Sequence, residues 1–151
     1  MGTASSNISP KRAEVYGQAK ELLGLVPEWV QSMPDELLFG FWSQMRDLLL
    51  GETKIPNKYK ELIGIAVAGA TKCRYCQLFH SEAARLNGAT EDEITEAAAL
   101  SALTMLASTY LNSKAIDFEE FATDTRRIVE HVKSHAPKRP EDRPSRREAR
   151  A

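Results

Sequence analysis

Apolar residues return every three or four positions along most of this chain, and Gly, Pro, Ser, Thr and Asp fall where the period breaks, so the chain reads as successive helices. Ser9 stands as an N-cap before Pro10 at a first helical position, and that helix is expected to end near Gly24. Pro34 to Leu50 sets Leu37, Phe41, Met45, Leu48 and Leu49 at helical spacing, with Gly51 as a left-handed stop. Pro56 to Ala70 carries the continuous run Leu62-Ile63-Gly64-Ile65-Ala66-Val67-Ala68-Gly69-Ala70, which by period alone fits a buried strand or a buried helix. Its length, its alanines and its charged start favour helix. Gly64 and Gly69 each cost a helix about 1 kcal/mol relative to Ala, which a close approach by another backbone would offset, and Ala97, Ala98 and Ala99 offer a matching thin face.

A further helix is expected from the cysteines to Asn87, stopped by Gly88. Thr90 and Glu93 form a capping-box pair before a long apolar helix running to about Leu111. Asp117 with Glu120 repeats that signature, and the last helix, to about His135, has Phe118, Phe121, Ile128, Val129 and Val132 available for burial. No convincing strand interrupts the series. The expectation is an all-α fold of about six helices in one domain over residues 1–136, with a basic, unpacked tail over 137–151.

Charge sharpens that division. Net charge is -1, but the tail holds Lys138, Arg139, Arg143, Arg146, Arg147 and Arg150 against Glu141, Asp142 and Glu148. No aromatic residue accompanies these charges, so they read as a solvated run, and no nucleic-acid partner is expected. No segment approaches the ~20 apolar residues that span a bilayer, and Met1 to Ser9 lacks the basic start and apolar run of a secretory signal, so the expectation is a cytoplasmic protein with no membrane partner. In a reducing compartment two neighbouring cysteines point to catalysis or metal binding before a structural bridge.

Both cysteines lie in Cys73-Arg74-Tyr75-Cys76-Gln77-Leu78-Phe79-His80. On a helix, residues three, four and seven apart share a face, so both sulfurs and the imidazole can point one way. If the chain reverses near Ala70 and Thr71, Glu61 and His80 lie side by side, each roughly 13 Å from the turn. A carboxylate there would orient the ring, leaving its other nitrogen to take a proton from Cys76, one helical turn away. Thr71 as a cap would place both thiols in a first turn whose free amides, with Lys72 and Arg74, favour a thiolate. A thiolate attacked onto a peroxide becomes a sulfenic acid, which the second cysteine, Cys73, can condense with. The same Cys73, Cys76 and His80 could instead hold zinc, with Glu61 as fourth ligand, or sit as small core residues. Haem attachment requires His where Gln77 stands, and the strand that precedes a thioredoxin CxxC is missing. Trp29, Trp42, Tyr75, Phe79 and Tyr110 read as core or as walls of a pocket for organic peroxides. No Gly-rich nucleotide loop occurs, so no cofactor is expected, and any nicotinamide reductant would act through a partner.

Glu61, eleven residues, Cys73-x-x-Cys76, three residues and His80 together resemble the AhpD-like alkylhydroperoxidases of the wider carboxymuconolactone decarboxylase family. The likeness covers roughly residues 35–133 and includes the apolar helix before the cysteines and the Asn87-Gly88-Ala89-Thr90 turn. The resemblance implies an AhpD-like helical fold, Cys76 as the peroxide-attacking residue, Cys73 as the resolving one, and Glu61 and His80 as the relay. It also implies a hydroperoxide substrate, an external thiol or dithiol donor protein, and trimers or hexamers that complete the pocket. Where well-studied members carry an additional histidine before the second cysteine, this chain has Tyr75. The decarboxylase branch generally lacks the cysteine pair. Two functions follow: a thiol-dependent peroxidase, or a non-enzymatic zinc-binding or redox-sensing oligomer built on the same cluster.

Overall fold

A computed structural model describes residues 8–136, all helix and connecting turns, with no strand among them. The basic tail expected over 137–151 lies outside the described residues. The chain divides into two compact units, Met1–Thr104 and Met105–Ala151.

The first unit begins with α1 (Pro10–Leu23), where Ser9 Oγ accepts the Arg12 amide and Gly24, at φ 78°, closes the helix as expected. A short helix not anticipated from the sequence, α2 (Glu28–Gln31), follows a proline cap. The next segment is α3 (Asp35–Gln44), continued by a π-helical stretch, Met45–Leu50. Gly51 does not stop it in the left-handed region. Its φ is -69°, and its N–H donates to Arg46 O (2.9 Å) to close the wide π turn. A Cβ there would fit tightly, 3.0 Å from Asp47 O and 3.1 Å from Arg46 O, so the backbone around it would have to give by a few tenths of an ångström.

Val15, Ala19, Val30, Leu38, Trp42 and Met45 form the buried core. Trp42 Nε1 donates to Gln18 Oε1 (2.8 Å), so its one polar atom is satisfied. Arg12 clamps the three segments: it donates to Asp35 Oδ1 (2.6 Å), Tyr16 Oη (3.1 Å), Gln31 O (3.2 Å) and Met33 O (2.6 Å). That guanidinium holds the Asp35 carboxyl below the ordinary carboxylate range.

The ambiguous apolar run is helical: α4 spans Asn57–Thr71 and packs antiparallel on α5, Arg74–Leu86. Its buried face is Glu61, Ile65 and Ala68, one helical stripe. The nearest neighbours of the two glycines are not Ala97, Ala98 and Ala99. Gly64 faces His80 instead, and Gly69 faces Ser101 Oγ at 3.7 Å. Ser101 belongs to α6 (Glu91–Ser113) and donates to Ala66 O (2.7 Å). The Thr90–Glu93 capping box forms reciprocally, at 2.8 and 3.1 Å.

By length and composition α6 is long and apolar enough to cross a membrane, where no segment of that kind is expected from the sequence pattern. Its acidic first turn and the Ser101 anchor tie its N-terminal part to the helical unit.

The second unit comprises the end of α6 and α7 (Phe118–His135), whose N-cap Asp117 accepts the Glu120 amide at 2.8 Å. Burial of its apolar residues is not observed: Phe118, Phe121, Ile128, Val129 and Val132 remain exposed, as do Leu103, Leu106 and Tyr110 of α6. Helical period specifies which face is apolar, not what covers it.

Candidate active site

The chain reverses through Thr71, Lys72 and Cys73, a little later than expected. Thr71 is not the cap. Its hydroxyl bonds back to Val67 O (2.9 Å), Lys72 takes the left-handed conformation (φ 56°), and Cys73 itself caps α5. The Cys73 sulfur accepts the Cys76 amide at 3.3 Å, so a soft acceptor fills the place usually taken by a hydroxyl or carboxylate.

Two consequences follow for the thiols. The Cys73 pKa lies below that of an ordinary thiol, because the Cys76 thiol and then the Cys76 backbone amide hydrogen-bond to its sulfur. The Cys76 pKa is raised, first because its thiol donates to Cys73 and then because of partial burial. Cys73, which is half-buried, is therefore the more readily ionised of the two, while Cys76 is the exposed sulfur.

Glu61 and His80 meet as the turn geometry requires: His80 Nδ1–H donates to Glu61 Oε2 at 2.6 Å. Glu61 is 2% exposed, so the imidazole is the partner that makes its burial tolerable. With Nδ1 engaged, Nε2 is left for other chemistry. Gly64 makes the approach possible, because a Cβ there would lie 2.4 Å from His80 Cγ and Nδ1.

His80 and Cys76 open into one cavity of about 650 Å³. Its apolar walls are Trp29, Phe41, Met45, Leu49 and Phe79. Phe41, Met45 and Leu49 form one stripe along α3 and the π turn. The stripe is visible in the sequence, but nothing there separates a pocket wall from a core face. Of the five aromatics weighed from sequence, Trp29, Tyr75 and Phe79 line the cavity. Trp42 is core, and Tyr110 is exposed in the second unit. Tyr75 is 73% exposed at the mouth, its hydroxyl accepting from Arg74 (3.2 Å), so the phenol takes no part in the Glu61–His80 pair. Among the described residues no three His, Cys, Asp or Glu side chains converge as metal ligands.

The site is thus an all-helical unit in which a CxxC heads the helix that carries His80, paired across a turn to Glu61. The chain belongs to the carboxymuconolactone decarboxylase family, which it matches over residues 36–113. It is 34% identical over 92 residues to an alkyl hydroperoxide reductase of Mycobacterium tuberculosis, a match covering 56% of this chain and 26% of that protein. The chain thus aligns with about a quarter of that relative's length. In fold it is similar to the alkylhydroperoxidase AhpD core from Rhodospirillum rubrum, with a TM-score of 0.66 and 24% identity over 80% of this chain and 98% of that one.

Proposed function

We propose that this protein is a thiol-dependent peroxidase that reduces hydroperoxides through a Cys73/Cys76 dithiol–disulfide cycle. The observation that carries the reading is the 2.6 Å His80–Glu61 contact behind a cavity into which both His80 and Cys76 open. Held by Glu61 through Nδ1, His80 takes the Cys76 thiol proton on Nε2. The Cys76 thiolate attacks the terminal oxygen of R–O–O–H. An S–O bond forms, the O–O bond breaks, and the leaving alkoxide takes the proton from His80 to become the alcohol. The Cys73 thiolate then attacks the Cys76 sulfur. The S–S bond forms, S–O breaks, and hydroxide leaves as water with a solvent proton. An external dithiol donor restores the pair and becomes a disulfide itself.

The test is direct. Metal-free protein given a hydroperoxide and a dithiol donor should consume the peroxide catalytically and, without donor, should lose two hydrogens by mass with the Cys73–Cys76 peptide linked. One zinc per subunit held by the cysteines, with no peroxide consumption, would overturn the reading in favour of a metal-binding protein.

Self-association belongs to the same proposal. The apolar residues that α6 leaves exposed in the first unit, such as Leu100 and Leu103, are of the kind that proteins cover with a partner. A trimer or hexamer is expected in light scattering at micromolar concentration, and a monomer there would remove this part of the proposal.

A further inference from the structure

We propose that Trp29 and Phe41 are specificity-determining residues that make the site prefer hydroperoxides carrying a bulky apolar group over hydrogen peroxide. This rests on the peroxidase reading and adds to it which part of the chain selects the substrate.

Trp29 lies before residues 36–113, the stretch shared with the family, so this wall of the cavity is supplied by the chain's N-terminal segment. Trp29 and Phe41 stand edge to face, with centroids 5.7 Å apart and planes at 85°. They remain 41% and 39% exposed, and both line the cavity that Cys76 enters. The cavity, at 650 Å³, is far larger than hydrogen peroxide needs, given about 30 Å³ for a water in the liquid. It lies within the range of cavities that take whole organic ligands.

The wall is held in place before any substrate arrives. Val30, next to Trp29, is fully buried in the core, and Arg12 ties down the Gln31 and Met33 carbonyls just beyond it. Ser32 Oγ donates to Trp29 O at 3.0 Å. A wall whose backbone is fixed in this way and whose two rings already pack edge to face loses less freedom when an apolar group covers it, so the contact appears as selectivity. The polar –OOH end is then left toward Cys76 and His80.

The experiment compares kcat/KM for cumene hydroperoxide and hydrogen peroxide in wild type, Trp29→Ala, Phe41→Ala and the conservative Trp29→Phe. Wild type should prefer the cumene compound. Either alanine variant should reduce the ratio of the two kcat/KM values by about tenfold or more, and Trp29→Phe should keep most of it. A second readout is independent of turnover: the alcohol product, 2-phenyl-2-propanol, should slow alkylation of Cys76 in wild type and lose that protection in Trp29→Ala. An unchanged ratio in both alanine variants, or undiminished protection, overturns the proposal while the peroxidase reading stands. Wild type that consumes neither hydroperoxide overturns that reading, and with it this one.

Discussion

Gly64→Ala is expected to destabilise the protein by about 2–4 kcal/mol and to lower hydroperoxide turnover by roughly 10²-fold or more. Ordinary helix energetics points the other way, since replacing an interior glycine with alanine usually stabilises by about 1 kcal/mol. The reversal comes from one contact: the new methyl would sit 2.4 Å from the His80 ring, against rigid atoms of a packed imidazole. Either the ring moves or the α4–α5 pair opens. In both cases Glu61, 2% exposed, loses the partner that compensates its burial. The Tm should fall by about 2–4 °C for each kcal/mol lost, as thermal melting followed by circular dichroism would record. Gly69→Ala is the matched control on the same helix, because its methyl would meet only Ser101 Oγ, at an ordinary 3.7 Å. It should be neutral or slightly stabilising. A Gly64→Ala protein that melts with wild type and turns over normally would sink the claim that His80 must lie against α4. Glu61→Gln separates the two effects: it keeps the shape of the pair, so its loss should fall more heavily on turnover than on folding.

Cys76→Ser is expected to reduce hydroperoxide consumption to background, a loss of roughly 10³-fold or more, whereas Cys73→Ser should stop turnover yet still consume one equivalent of peroxide. In the Cys73→Ser protein that equivalent should be found as a sulfenic acid on Cys76, trapped by dimedone and located by mass spectrometry. Serine is a good helix cap, so α5 should survive the change. The two proteins should also differ in titration. In wild type the first thiolate belongs to Cys73, whose lowered pKa puts the charge at a pH below that of an ordinary thiol, while Cys76 ionises above the ordinary value. Removing Cys73 removes the acceptor of the Cys76 proton and the charge that opposes its ionisation. The single step at 240 nm in Cys73→Ser should therefore fall below the second step of wild type. Stoichiometric peroxide consumption by Cys76→Ser would reverse the assignment of attacking and resolving sulfur.

The helical architecture was legible because its signals are local. Ser9, Gly24, Gly88, the Thr90–Glu93 box and Asp117 all act within one turn, and each occupies the cap or stop its residue type predicts. The Glu61–His80 pair was legible too, because two helices joined by a tight turn bring equally distant positions together, and a displacement of the turn by a residue or two does not undo that. Gly51 and Thr71 depart from expectation for a shared reason. Glycine and threonine each suit several local conformations, and the choice was made by a π turn in one case and by Cys73 taking the cap in the other.

Sequence period could say that Phe41, Met45 and Leu49 share a face, that α6 and α7 carry apolar stripes, and that two sulfurs and an imidazole lie on one helix. It could not say which apolar face becomes core, which lines a cavity and which stays exposed, because burial depends on what packs opposite and a helix carries no record of its neighbour. Two features of this chain came from packing alone: the cavity wall built by Trp29 from outside the family-matched region, and the fit of His80 against Gly64. Each depends on distances of a few ångströms between residues remote in sequence or on opposite sides of a turn. Local propensity does not constrain such distances, and close packing does.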